Sequence, residues 1–338
     1  MPAAADPLVF SLDSGGDLRD RVCRRLGVPP GRHEERVFED GEHKIRPLES
    51  VRGRDVYLVA SLHGGGGLSV DDKLVRVLTF LGTLRDAGAA RLTAVAPYLC
   101  YARKDQRTKP RDPVTLRYVA ALFEAVGIDR IVAVDVHNPA AYQNAFRVPA
   151  ELLTALPAFV ELFARRVGDR PAVVVSPDAG GVKRAERFRQ ALERRIERPV
   201  GFAFLEKFRS GGVVRGGTVV GEVGEQLAIV IDDLIASGTT LVRAAAACRE
   251  RGAPAVWAAV THGLFAAGAE EALAGAELER LVVLDTVPPA RLDPDLLRRR
   301  VEVVDASPLL AAAIERLHGD GSLVELEEAW PVSSPPAD

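Results

Sequence analysis

Short runs of Val, Ile, Leu and Ala recur along the chain, at residues 56–61, 92–98, 130–136, 172–178, 200–207, 227–233, 255–263 and 281–286. Several are apolar at almost every position, with no alternation. That is the pattern of strands covered on both faces, as in a parallel sheet. Between them, residues 71–87, 115–125 and 182–195 place apolar side chains at helical spacing. A further strand at 301–305 and a closing helix at 309–317 complete the reading. Strands alternating with helices predict an α/β architecture with mainly parallel sheets flanked by helices. A loose echo divides the chain. In each half a strand opens into a loop, a helix follows, and a second strand ends in a basic loop, YARKDQRTK in the first and LEKFRSGG in the second. The expected organisation is two similar domains, 1–150 and 151–320, with a tail at 321–338 that ends in the Pro- and Ser-rich WPVSSPPAD and is expected to fray.

Composition narrows the picture without changing it. A chain of 338 residues suits two domains, and 47% hydrophobic with 27% charged residues is ordinary for a soluble globular protein. The net charge of -3 gives no bulk attraction to nucleic acid or to an anionic membrane, though a local basic pocket stays open. Cys23, Cys100 and Cys248 fit neither a metal knuckle nor a disulfide framework and are expected as reduced, buried thiols. The first twenty or so residues lack a basic region followed by an apolar stretch, and no apolar run approaches about 18 residues. A cytoplasmic protein is expected. The run HGGGG at 63–67 lacks the lysine and serine of a P-loop and reads as a flexible surface loop. The arginines at 165–166 and 298–300 read as solvated helix faces.

The most specific local signal is AIVIDDLIASGTTL, residues 228–241. An apolar strand ends in Asp232 and Asp233, a loop of small residues follows (Ala236, Ser237, Gly238, Thr239 and Thr240), and a helix begins. The start of a helix presents unpaired backbone N–H groups and a positive dipole end, which together attract phosphate. Hydroxyls add donors, and neighbouring carboxylates accept from vicinal sugar hydroxyls. The combination predicts a site for a phosphorylated ribose at the C-terminal end of a strand, where open α/β sheets bind ligands.

This string resembles the phosphoribosyl-binding loop of the phosphoribosyltransferase fold. That leaves enzymes that consume phosphoribosyl diphosphate and the synthetase that makes it. Four further stretches resemble the ribose-phosphate diphosphokinase (phosphoribosyl diphosphate synthetase) family. They are RVFEDGEHKIRPLESVRGRDVYLV at 36–59, APYLCYARKDQRTKPRDPVT at 96–115, VDVHNPAAYQNAF at 134–146 and VVSPDAGGVKRA at 174–185. THGLF at 261–265 and ASPLLAAAIERLH at 306–318 fit the family's closing elements, so the likeness runs from about Val9 to about Leu323. The resemblance implies two tandem phosphoribosyltransferase-like domains and an enzyme that moves the diphosphoryl group of ATP to C1 of ribose 5-phosphate.

It also assigns roles. Phe38 would stack on adenine, with Asp40 and Glu42 accepting from it or holding the turn. Arg103, Lys104 and Asp105 would meet the ATP phosphates. His137 and Asp178 would surround Mg2+ bound to ATP, with His137 acting directly or through water. Asp232, Asp233 and residues 236–240 would hold ribose 5-phosphate, and Lys207 and Arg209 would close over the transferring group on a flap that continues into Ser210, Gly211 and Gly212. Each has a plainer alternative: core packing for Phe38, a solvated turn at Asp40, a solvated basic surface around Arg103, a hydrogen-bonded strand-end histidine at 137 and a basic hairpin end at 207–209. Because segment 36–42 can serve a neighbouring subunit in the family, a homo-oligomer, a dimer or a multiple of dimers, is implied. Two departures stand out. Lys104 replaces the family's usual Gln, and Ala236 stands where a third acid is frequent. They keep open a catalytically silent regulatory paralogue, and a phosphoribosyltransferase is the third reading.

Overall fold

The computed structural model describes residues 6–12, 16–210 and 213–328; at 207–210 and 213–217 it describes the backbone alone. The chain forms two compact units. One contains the described residues up to Thr154 and those from Ala306 onward, and the other is Ala155–Asp305.

The first unit runs β1 (Leu8–Phe10), α1 (Gly16–Leu26), β2 (His33–Val37), β3 (His43–Pro47), β4 (Asp55–Val59), α2 (Val70–Asp86), β5 (Arg91–Ala96), α3 (Thr115–Ala125), β6 (Arg130–Val134), α4 (Pro139–Ala145) and β7 (Ala150–Leu153). Its main sheet has the order β1-β4-β5-β6-β7, with every pairing parallel. β2 and β3 form a separate antiparallel hairpin. All five residues of β4 are buried, as its unbroken apolar run requires of a strand covered on both faces. The core includes Phe10 edge-on to Phe80 at 5.4 Å, both fully buried. Burying such a ring contributes about 2–3 kcal/mol.

The second unit runs α5 (Leu156–Val167), β8 (Ala172–Ser176), α6 (Val182–Ile196), β9 (Gly201–Ser210), β10 (Val213–Val220), β11 (Leu227–Ile235), α7 (Thr239–Glu250), β12 (Val256–Gly263), α8 (Ala269–Ala274), β13 (Arg280–Leu284), α9 (Pro294–Arg300) and β14 (Val301–Val304). Its sheet has the order β10-β9-β8-β11-β12-β13-β14, parallel throughout except for the β9/β10 edge pair. β8 and β12 are buried at every position.

The closing helix α10 (Ser307–His318) and the short α11 (Val324–Glu328) belong to the first unit, where the expectation placed 306–320 in the second domain; of the expected tail, residues 329–338 lie outside the described residues. α10 packs on α1, where Arg25 Nε donates to Ser307 Oγ at 2.8 Å. Its C-terminal end is held by a buried carboxylate. Asp55 Oδ2 accepts from Tyr57 Oη at 3.0 Å and from Arg91 at 2.6 Å, and lies 2.8 Å from His318 Nδ1. A hydrophobic pattern reveals that a helix has a buried face, but not which core receives it.

Strand ends shift for local reasons. β5 and β8 stop short of the expected Tyr98 and Asp178, each just before a proline, Pro97 and Pro177, that cannot donate to a ladder. β6 stops at Val134 because Asp135 turns to φ 39°. β9 runs on to Ser210 because β10 pairs with it. Gly65 and Leu68 exchange backbone hydrogen bonds, so the 63–67 glycine run is a pinned turn. Arg300 is not a solvated face: it donates to the carbonyls of Leu273, Ala276 and Leu278 behind α8.

Candidate active site

In the second unit the chemistry gathers at the C-terminal ends of the central strands of the sheet. β9, β8 and β11 are parallel neighbours, so their C-terminal ends leave the sheet side by side. β8 gives way through Pro177 to Asp178, which stands in extended conformation before a single 3-10 turn, Ala179–Gly181, and its Oδ1 accepts the Gly181 N–H at 3.1 Å. Ser176 Oγ donates to the Asp178 carbonyl at 2.6 Å. The turn is tight enough that a Cβ on Gly181 would lie 2.8 Å from Ser176 Oγ, so glycine is required there by close approach.

β11 continues through both acids to Ile235, two residues beyond the expected end. Asp233 is buried and Asp232 partly exposed, and the Asp233 N–H donates to Asp232 Oδ1 at 2.9 Å. Two adjacent carboxylates withdrawn from water cannot both ionise easily. Desolvation, then the charge of Asp233, raises Asp232 to about 8. The counter-charge is Arg184, from the first turn of α6. Its guanidinium lies 3.3 Å from Asp233 Oδ1 and 3.6 Å from Asp232 Oδ1. No motif in the sequence marks Arg184 as a site residue. A signal existed, since a cation at the third position of a helix opposes the dipole and calls for a local acidic partner.

After β11 the loop reaches α7 through Gly238, whose φ of 78° is costly for any residue with a Cβ. Ser237 and Thr239 are exposed with their hydroxyls 2.9 Å apart, and Thr240 lies in the first turn. The far side of the loop is anchored by the THGLF segment. Leu264 and Phe265 donate to the Ile235 carbonyl and Ala266 donates to that of Ala236. The loop is thereby held from below while its hydroxyls and the helix start face outward. Lys207 and Arg209 lie within β9, opposite Gly217 and Val214 of β10, and not on a loop after the strand. Their side chains, and the flap glycines Gly211 and Gly212, lie outside the described residues.

The first unit repeats the arrangement. β5 and β6 are parallel neighbours, so the loop carrying Arg103, Lys104 and Asp105 leaves beside the turn carrying His137. Asn138 joins the two, its Nδ2 donating to Asp105 Oδ2 at 2.7 Å. Arg103 and His137 are exposed. Lys104 is drawn into its own loop, with Nζ 3.4 Å from Asp112 Oδ2. That carboxylate also accepts from Thr108 and Lys109, and these bonds, the Thr108 hydroxyl first, lower its pKa. Phe38, Asp40 and Glu42 form the turn between β2 and β3. Phe38 N–H donates to the Glu42 carbonyl at 2.7 Å, and Asp40 Oδ1 accepts from the Glu42 N–H at 3.0 Å. Phe38 is partly exposed and not among the buried core residues, with the Arg36 guanidinium 4.8 Å from its ring centroid.

No three metal-binding side chains converge among the described residues. Asp178 belongs to the second unit and His137 to the first. One carboxylate past a strand end, as at Asp178, suits Mg2+, which keeps several waters and takes phosphate oxygens as ligands; it would not hold zinc. The three cysteines are free and buried, and desolvation raises Cys23 to about 11 and Cys100 and Cys248 to about 12. No helix of the described residues is long and apolar enough to cross a membrane.

Residues 8–127 match the N-terminal domain of ribose phosphate pyrophosphokinase, and residues 215–327 match the phosphoribosyl synthetase-associated domain. A protein of Streptococcus agalactiae serotype III named ribose-phosphate pyrophosphokinase 1 is 34% identical over 327 residues, 95% of this chain and 96% of its own length. The chain belongs to the ribose-phosphate pyrophosphokinase family. A ribose-phosphate pyrophosphokinase of Hyphomonas neptunium is 35% identical, covering 94% of this chain and 98% of its own. The crystal structure of phosphoribosylpyrophosphate synthetase from Mycobacterium smegmatis superposes with a TM-score of 0.84 at 32% identity, over 94% of this chain and 100% of that one. The fold is that of the family, with two phosphoribosyltransferase-like α/β domains, and the family's members are transferases.

Proposed function

We propose that the chain transfers the diphosphoryl group of ATP to C1 of ribose 5-phosphate, giving 5-phosphoribosyl 1-diphosphate and AMP. The observation that carries this reading is the set of C-terminal strand ends in the second unit, where Asp178 and the Asp232–Thr240 segment leave adjacent parallel strands and Arg184 bridges to the acid pair. The 5-phosphate sits on the Ser237, Thr239 and Thr240 hydroxyls and the start of α7, and the ribose hydroxyls donate to Asp232 and Asp233. Arg103 and Lys104 neutralise the ATP phosphates, Asp105 binds ATP from the same loop, and Phe38, Asp40 and Glu42 receive the adenine. The C1 oxygen forms a bond to the β-phosphorus as the bond from that phosphorus to the α,β-bridging oxygen breaks. That oxygen leaves with AMP, and the hydroxyl proton is released. Lys207 and Arg209 stabilise the charge that builds on the transferring group. Mg2+, held by Asp178 and by His137 directly or through water, would neutralise phosphate charge when bound. With Ala236 in place of a third acid, proton removal falls to Asp232, Asp233 or the metal, or the activity is lower.

Val37, 56% accessible at the turn end of the β2/β3 hairpin, supports a homo-oligomer, a dimer or a multiple of dimers, in which this turn meets a second copy. The setting proposed is the cytoplasm, in nucleotide biosynthesis.

The test is phosphorus NMR of the chain with ATP, ribose 5-phosphate and Mg2+. AMP should appear in step with a product carrying both the β- and γ-phosphates of ATP, and excess chelator should stop it. ADP with a singly phosphorylated C1 would overturn the reaction. Nucleotide binding without turnover would identify a silent paralogue, and consumption of phosphoribosyl diphosphate with a nucleobase would identify a phosphoribosyltransferase.

A further inference from the structure

We infer that Asn138 is a positioning residue that locks the 103–105 loop to the His137 turn, so that both meet Mg-ATP as one rigid body. The inference deepens the proposed function and rests on it. Asn138 is the N-cap of α4, and its Oδ1 accepts the Ala141 N–H at 3.1 Å. An N–H can be accepted only by the amide oxygen, so the amide nitrogen must face the other way, and there it meets Asp105 Oδ2 at 2.7 Å. One side chain thus closes two bonds, one to a helix start and one to a carboxylate on the neighbouring loop. Pro139 at the first helical position and the extended backbone of Asn138 (φ -135°, ψ 101°) hold the amide in place.

The loop has need of such an anchor. β5 and β6 stop at Ala96 and Val134, and α3 starts only at Thr115. Between Ala96 and Thr115 the chain is irregular, and Arg103 near its middle is exposed. Irregular segments of that length have many conformations unless tied down. His137 is exposed and immediately precedes Asn138. The bridge between Asp105 and Asn138 therefore fixes a cation and a histidine relative to each other. On the loop side the bond is accepted by Asp105 Oδ2. A hydrogen bond to a charged acceptor is among the stronger ones available to a side chain.

Three variants separate the two bonds. Asn138→Ser keeps a cap acceptor but is too short to reach Asp105. Asn138→Asp keeps the cap acceptor and sets a carboxylate against Asp105. Asp105→Ala removes the bridge without touching the cap. Each should melt within about 2 °C of the parent. Each should lose about tenfold in Mg-ATP affinity by calorimetry and about tenfold in kcat, with KM for ribose 5-phosphate unchanged within about twofold. Asn138→Ser combined with Asp105→Ala should be no worse than either alone, since both break one bond. Parental Mg-ATP affinity in Asn138→Ser and Asn138→Asp, or additive losses in the double variant, would reduce Asn138 to a helix cap and overturn the inference. A parent chain that binds Mg-ATP yet releases no AMP would overturn the proposed activity instead, and the affinity comparison would still decide the role of Asn138.

Discussion

Replacing Asp232 by Asn should stabilise the unliganded protein at alkaline pH and weaken its hold on ribose 5-phosphate. The carboxyl group is raised from 3.8 to about 8, first by desolvation and then by Asp233. Between those values the folded state holds a proton that the unfolded state has released, so stability falls as pH rises from about 4 to about 8 and is flat above. The amide reproduces the protonated acid. Its oxygen still accepts from the Asp233 N–H and faces Arg184, and its nitrogen donates toward Asp233 as the acid proton would. The variant therefore escapes the penalty. Each pH unit is worth about 1.4 kcal/mol, so the full shift sets an upper bound of roughly 6 kcal/mol. The proton is shared with Asp233, and the Asp232 side chain keeps 22% of its exposure, so about 1–3 kcal/mol is expected at pH 8. Urea unfolding of parent and variant at pH 4, 6 and 8 reads it. The difference should be near zero at pH 4 and grow towards pH 8. Calorimetry with ribose 5-phosphate at pH 9, where the parent Asp232 is a carboxylate, should show affinity reduced about 10- to 100-fold, the effect of weakening hydrogen bonds to a charged group. A variant less stable than the parent at pH 8, or a difference independent of pH, would refute the reasoning.

Arg184→Ala should raise KM for ribose 5-phosphate at least tenfold while leaving ATP affinity within about threefold, because the acid pair loses its counter-charge; steady-state kinetics in both substrates checks this, and equal effects on the two would move Arg184 out of the sugar site. Gly181→Ala forces a methyl to within 2.8 Å of Ser176 Oγ and should destabilise the protein by about 1–3 kcal/mol, read from chemical denaturation; parental stability would mean that the turn gives way freely. Lys207→Ala should lower kcat by about 10²–10³ with both KM values within roughly tenfold, the signature of a group that acts in the transition state; parental turnover would make it a surface lysine.

The local chemistry was legible in the sequence. Apolar runs such as AVVVS and LAIVI can be stable only between two layers, so the parallel sheets followed from the pattern. The acids and small hydroxyl residues at 232–240 are contiguous, and their meaning depends on a strand-to-helix turn that the chain specifies over a few residues. Prolines and the φ of Asp135 then trimmed strand ends within the reach of local sterics. Tertiary structure decided what depends on residues distant along the chain. Arg184 meets Asp232 and Asp233 because β8 and β11 are paired across about fifty intervening residues, and no spacing rule encodes that pairing. Asn138 reads in sequence as a helix cap before proline; its second bond, to Asp105, exists because β5 and β6 end side by side. The assignment of α10 to the first unit is of the same kind. Its apolar face is plain in the sequence, but hydrophobic burial is non-directional, and the choice of core was settled by Arg25, Asp55 and Arg91, all more than two hundred residues upstream.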